Sequence, residues 1–228
     1  MGFQIQPNCD TVEERLEQAI KKMLDTDVKV VASGRTDRLV HALGQVIHFD
    51  IDKKLTPNNI KRGLNSFLPK DIHVNEVEIV DEDFHARFSA KSKEYHYFIN
   101  TGEYNPIIRN YMPNITNLDV SLMEDAIKLF IGTHDFKGFA SSQIDKRKDT
   151  IKTIYEAKIN RYDDKLEFIF IGSGFLKYQV RKMMGLLVEI GFKKETKDKI
   201  IKIFETKDPK LSHKILGGEG LYLYKVNY

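Results

Sequence analysis

"TIYEAKINRYDDKLEFIFIG", residues 153–172, decides the fold. Its first part, "TIYEAKI" (153–159), and its last, "KLEFIFIG" (165–172), are rich in β-branched and aromatic residues, the side chains that suit strands. Asp163 and Asp164 stand between them and turn the chain, so the stretch is a β-hairpin. A helix lies on either side. Upstream, Ser121 with Glu124 caps a helix carrying Leu122, Ala126, Leu129 and Phe130, and Gly132 closes it. Downstream, "FLKYQVRKMMGLLVEIG" (175–191) is a helix with a glycine stop, and a short helix follows near 197–205. Strands bound the set. "KEYHYFI" (93–99) alternates Tyr95, Tyr97 and Ile99 onto one face, and "GLYLYKVNY" (220–228) closes the chain.

The order strand-helix-strand-strand-helix-strand is that of a split βαβ, ferredoxin-like domain. The first half repeats it without the opening strand. Thr11 and Glu14 form a capping box, and Val12, Leu16, Ala19, Ile20, Met23 and Leu24 fall on one helical face. "VKVVAS" (28–33) and "QVIHFDI" (45–51) read as strands. Thr56-Pro57 opens a second helix through Ile60, Leu64 and Phe67, stopped at Leu68-Pro69, and "DIHVNEVEIV" (71–80) reads as a further strand. The sequence therefore predicts an α+β chain of two ferredoxin-like subdomains, residues 1–92 and 93–228, whose antiparallel sheets form a cleft. The first strand of the N-terminal subdomain is expected to be missing, an inference from the internal symmetry of the two halves.

Composition narrows the function. The chain has 228 residues, 41% hydrophobic and 30% charged, as soluble globular proteins do. It holds no apolar run long enough for a membrane helix, and Met1 leads into a polar stretch unlike a signal peptide. The single cysteine, Cys9, can form no internal disulfide, which suits a reducing cytoplasm. HxxxH and CxxC spacings are absent, which argues against a metal site. The net charge of +3, from 36 Lys and Arg against 33 Asp and Glu, permits nucleic-acid binding without demanding it.

Four features carry candidate chemistry. In "SGRTD" (33–37), between two strands, Gly34 permits a sharp turn and Arg35 can pair with a carboxylate or grip a phosphate. Thr36 can cap the turn, and Asp37 beside an arginine has the charged state a nucleophile needs. The same pattern also describes a salt-bridged turn. Arg181 lies on a helix whose apolar stripe is Val180, Met183, Met184 and Leu187. Gly185, on Arg181's face, admits a close backbone or ligand. Tyr95 offers a ring for stacking a base or for filling a core. "FHARFSAKSKEYHY" (84–97) interleaves Arg87 and lysines with rings, the better nucleic-acid signal, and "DKRKDTIK" (145–152) is a basic run that either tracks phosphates or is a solvated loop.

In this order and spacing the segments resemble the TruA-type tRNA pseudouridine synthases over nearly the whole chain. The resemblance rests on "GFQIQPN" (2–8), "SGRTD" followed by "VHALGQVIHF" (40–49), "LPKDIHV" (68–74), "FHARFSAKSKEYHY", "GTHDFKGF" (132–139), "GFLKYQVRKMMG" (174–185) and "GLYL" (220–223). It implies isomerisation of uridine to pseudouridine at positions 38 to 40 of the tRNA anticodon stem-loop, by a homodimer, without cofactor or metal. It implies Asp37 as nucleophile, attacking either the sugar C1′ or the uracil C6, Arg181 as its ion partner and Tyr95 against the target base. Arg35, Thr36, Arg87 and His41 are the implied substrate contacts. Two departures stand out. Arg38-Leu39 replaces the small residue and glycine usual after the aspartate. The family's opening strand and its "YDGT"-like turn are not matched, which leaves an inactive, truncated tRNA-binding fragment as the alternative reading.

Overall fold

The computed structural model describes residues 2–145, 147 and 149–228; Met1, and Lys146 and Lys148 of the basic run, lie outside the described residues. Along the chain come α1 (Val12–Leu24), β1 (Val31–Ala32), β2 (His41–Ala42), β3 (Ile47–His48), α2 (Pro57–Phe67), β4 (Ser92–Asn100) and α3 (Val120–Ile127). Then follow β5 (Gly132–Asp135), β6 (Ile151–Tyr162), β7 (Lys165–Gly172), α4 (Gln179–Gly191), α5 (Asp198–Thr206) and β8 (Leu221–Asn227). The fold is mixed α and β. It divides into two compact units, one of Met1–Arg38 and Gln45–Ala90, the other of Leu39–Gly44 and Lys91–Tyr228. The chain thus leaves the first unit after Arg38 and re-enters it at Gln45.

In the first unit the apolar face of α1 does the packing. Leu16, Ala19, Ile20 and Leu24 are buried together with Phe3, Val30 and, from α2, Ile60 and Leu64. Each of these side chains other than Ala19 contributes roughly 1.5–3 kcal/mol on burial. The start of α1 differs from the capping box expected of Thr11 and Glu14. The Thr11 hydroxyl makes no cap bond. Instead the lead-in folds over the helix end, and the carbonyls of Gly2 and Phe3 accept the N–H groups of Val12 (3.4 Å) and Glu13 (3.0 Å). Backbone oxygens thus satisfy donors that a side chain would otherwise cap. The Thr56 hydroxyl does cap α2, accepting from the Asn59 N–H at 3.3 Å.

The strands of this unit are shorter than the sequence suggests. Only Val31↔His48 and Ala32↔Ile47 form ladder pairs, extended by the Ser33 N–H donating to Val46. Residues 71–80 are not a strand, a correction with a specific cause. The Asn65 side chain takes both backbone groups of Val74, accepting its N–H at 2.8 Å and donating to its carbonyl at 2.9 Å. Ile72, Val74 and Val77 still pack against the core, which accounts for the strand-like alternation.

The second unit carries a six-stranded sheet in the order β2-β8-β4-β7-β6-β5. Every neighbouring pair is antiparallel except β2 with β8. The hairpin is as read, with Tyr162 opposite Lys165 and the two aspartates between. Tyr97 and Ile99 of β4 are fully buried, in one cluster with Phe168 and Phe170 of β7, Met123 and Ile127 of α3, and Met183 and Leu187 of α4. Ser121 is not the cap of α3. Asp119 is, its carboxylate accepting from the Leu122 N–H, while the Ser121 hydroxyl meets the Arg161 guanidinium at 3.3 Å. Strand β5 was not foreseen; Gly132, at φ +115°, supplies the left-handed turn that leads into it. Helix α4 begins at Gln179 rather than 175, because Tyr178 is left-handed (φ +67°) and the Gln179 side chain closes the turn by accepting the Leu176 N–H at 2.8 Å.

Gly185 sits in the middle of α4. A Cβ there would stand 2.2 Å from the carbonyl oxygen of Lys214. What the glycine admits is therefore backbone, the segment that leads into β8. Ordinarily alanine in place of a mid-helix glycine stabilises by about 1 kcal/mol. Here the sign is expected to reverse. Gly185→Ala should destabilise by about 2–3 kcal/mol in denaturant unfolding, since the clash is with backbone rather than a flexible tip. A gain in stability would contradict the close packing.

Candidate active site

The Asp37 loop is built by its neighbours in the first unit. Ser33 is fully buried at the end of β1, and Arg35 is exposed while Thr36 and Asp37 are half-buried. Two carbonyls of the loop are held. The Gln45 amide donates to the Gly34 carbonyl at 2.8 Å, and its oxygen accepts from the Ser33 hydroxyl at 2.8 Å. On the other side the Phe3 N–H donates to the Thr36 carbonyl at 3.0 Å. Gly2 lies against the same peptides, where a Cβ would approach the Thr36 oxygen to 3.0 Å and the Arg38 nitrogen to 3.3 Å. One short segment, Gly2–Phe3, therefore ties the Asp37 loop to the N-terminus of α1.

Tyr95 and Arg181 belong to the second unit, and both meet the turn that opens α4. Tyr95 projects from β4 with Phe170 and Leu223 as cross-strand neighbours. Its ring meets Phe175 edge-on, centroids 5.0 Å apart. The Arg181 guanidinium lies 5.2 Å from the centre of the Tyr178 ring. Leu216 holds Arg181 twice. Its carbonyl accepts from Arg181 Nε at 2.7 Å, and its N–H donates to the Arg181 carbonyl at 3.1 Å. The Tyr97 hydroxyl donates to the neighbouring Gly217 carbonyl at 3.0 Å. Burial pushes the Tyr97 phenol well above its ordinary range, the charge of Glu219 adds to the rise, and the charge of Arg181 opposes it. The phenol is thus a fixed donor.

His41 and Arg87 have local partners of their own. His41 Nε2 donates to the Asn110 carbonyl at 2.9 Å, and its ring stacks on Tyr222 (4.6 Å) and Tyr111 (5.4 Å). Its strand neighbour Ala42 pairs with Leu223, which on its other side pairs with Tyr95. The segment that follows Asp37 in the chain thus joins the sheet row that holds Tyr95. Arg87 is exposed on a tight turn at 85–89 and lies over the Phe88 ring at 5.5 Å. His85 Nδ1 shapes that turn by accepting the N–H groups of Arg87 (3.1 Å) and Phe88 (3.3 Å). Sequence reading missed Gln45, Ser33, Phe175, Tyr178 and Leu216. Gln45 carried a faint signal, a polar residue at the head of a strand pattern, whereas Leu216 acts through its backbone and carried none.

The model of the tRNA pseudouridine synthase family matches residues 2–89 and 126–228. Among curated proteins, "tRNA pseudouridine synthase A" of a Geobacillus species is 44% identical over all of this chain and 92% of its own length. The proteins of that name from an Exiguobacterium species and from Oceanobacillus iheyensis are 42% and 40% identical, again over all of this chain and over 92% and 91% of theirs.

Two residues past Asp37, Leu39 adopts the left-handed conformation at φ +66° and is 53% exposed. The resemblance leads one to expect a glycine there, and the backbone conformation is one that glycine adopts freely. Left-handed backbone costs a residue with a Cβ roughly 1–2 kcal/mol. Leu39→Gly should therefore hold or raise the unfolding free energy, by up to about 1 kcal/mol, and Leu39→Val should lower it by at least as much. Loss of stability in the glycine variant would show that the leucine side chain, not the turn, is what the position needs.

Proposed function

The chain belongs to the tRNA pseudouridine synthase family, and from that membership we infer that it isomerises uridine to pseudouridine in tRNA. The observation that carries this is identity of 40–44% running the full length of the chain. We propose further that its targets are positions 38, 39 and 40 of the anticodon stem-loop, and that it works in the cytoplasm as a homodimer without cofactor. Uridine and pseudouridine contain the same atoms at the same oxidation level, so the reaction consumes no oxidant or reductant. Two ferredoxin-like subdomains, 1–92 and 93–228, remain the proposed architecture. The order β8-β4-β7-β6, with α3 between β4 and β6 and α4 between β7 and β8, supports it for the second.

The proposed chemistry starts with extrusion of the target nucleotide from its stack, since the glycosidic bond is otherwise out of reach. A carboxylate oxygen of Asp37 then bonds either to C1′, displacing the uracil, or to C6 of the ring. The N1–C1′ bond breaks, the base rotates, and C5 bonds to C1′. Loss of the C5 proton, uptake of a proton at N1 where the bond to C1′ was broken, and release of the Asp37 oxygen complete the isomer. Arg181 is the ion partner that aims the carboxylate, a role its double anchoring on Leu216 supports. Tyr95 holds the base plane, backed by Phe175. Arg35, Thr36, Arg87 and His41 contact the substrate, with Arg35 and Arg87 exposed to meet phosphates.

Incubation with an unmodified tRNA transcript, followed by mapping of pseudouridine, tests this. Product at 38–40 is expected, and its absence with tRNA still bound would refute the assigned activity. Asp37→Asn should abolish turnover, by at least about 10⁴-fold, with tRNA affinity nearly unchanged. Arg181→Ala should slow the chemical step by roughly 10²–10³-fold while costing little stability; a loss confined to stability would make it a structural residue.

A further inference from the structure

The Gln45 amide has one arrangement that satisfies its surroundings. The Gly34 carbonyl can only accept, so Nε2 must face it; Oε1 then faces Ser33, whose hydroxyl must donate. Ser33 is fully buried, so this hydroxyl orients the amide without competition from bulk water. Gln45 is also where the chain re-enters the first unit, and the adjacent Val46 carbonyl accepts the Ser33 N–H at 2.8 Å. A clamp made of three hydrogen bonds therefore fixes Ser33 and Gly34. The Phe3 N–H fixes Thr36 from the opposite side. Arg35 lies between the two fixed carbonyls and Asp37 directly after the second. Holding a loop at both ends through its backbone carbonyls limits the directions its side chains can take.

We propose that Gln45 is a positioning residue for Asp37: through Gly34, and oriented by Ser33, it sets the direction in which the Asp37 carboxylate points. This rests on Asp37 being the nucleophile. Gln45 touches no reacting atom. Its effect is on the fraction of bound complexes in which carboxylate and nucleotide are aligned, a factor on which misplacement of about 1 Å can cost 10²-fold.

Gln45→Met keeps the length and bulk of the side chain and removes both hydrogen bonds. Single-turnover conversion of an unmodified tRNA transcript at saturating enzyme should slow by roughly 30–100-fold, with the dissociation constant for tRNA within about twofold of wild type. Ser33→Ala leaves the amide unoriented and should slow the same step by roughly tenfold. The double variant should be no slower than Gln45→Met alone, because the two side chains act as one unit. A rate within about threefold of wild type would overturn the proposal, as would equal losses in rate and affinity. If Gln45→Met shows no cooperative unfolding transition, Ser33→Ala decides by the same criteria. Asp37→Asn is measured alongside. Turnover surviving there removes the nucleophile assignment, whereas an inactive Asp37→Asn with an unaffected Gln45→Met removes only the role of Gln45.

Discussion

Much of the second unit depends on one close approach, that of the Lys214 carbonyl to the bare backbone of Gly185. With no side chain in the way, the segment before β8 lies directly on α4. Its next residues then meet first the helix and then β4. Leu216 closes on the backbone and Nε of Arg181, and Gly217 receives the Tyr97 hydroxyl. Gly220 follows, where a Cβ would fall 2.6 Å from the Tyr97 ring. Small residues here are not slack in the chain; they let a helix, a strand and a connecting segment share space that side chains would fill. Arg181 is held as a by-product of that packing, which is an economical way to fix a long, flexible cation.

The first unit solves the same problem with different groups. Its loop at 34–37 is steadied by partners that grip its peptide groups. An amide from one side and a backbone N–H from the other are both neutral, so they fix geometry without adding a charge beside the carboxylate. Arg38 and Leu39, the places where the sequence departs from the family pattern, come just after this steadied stretch. The left-handed turn persists at Leu39 although the residue resists it, so the surrounding structure, not local preference, determines that turn.

The hairpin of β6 and β7, the buried face of β4 and the apolar stripe of α4 were legible in the sequence, because each is written in side-chain periodicity. The failures have a common cause. At 71–80 the alternation was real, but Asn65 took the hydrogen bonds that a partner strand would have taken. At α1 the cap came from the carbonyls of Gly2 and Phe3, and a carbonyl belongs to every residue type. Helix α3 was capped by Asp119, two residues before the serine that fitted the motif. Asp37, Tyr95 and Arg181 were identified from motif order, whereas the groups that hold Arg181 and the Asp37 loop, chiefly Leu216, Gln45 and Phe3, were not. Motif order is visible in a sequence; which group meets a given peptide N–H or carbonyl is not.

Strand β2 is two residues long, yet it is the parallel partner of β8, far downstream. A growing polypeptide carries the loop at 34–37 early in its synthesis. The row Ala42–Leu223–Tyr95 beside it in the chain cannot form until the residues of β8 have been made. The two outer strands of that row, β2 and β4, are thus complete as sequence long before the strand that joins them exists. Closing so long a span before any contact rewards it is the kind of step that slows folding. For most of its synthesis the chain carries Ala42, and later Tyr95, without the strand that comes to lie between them.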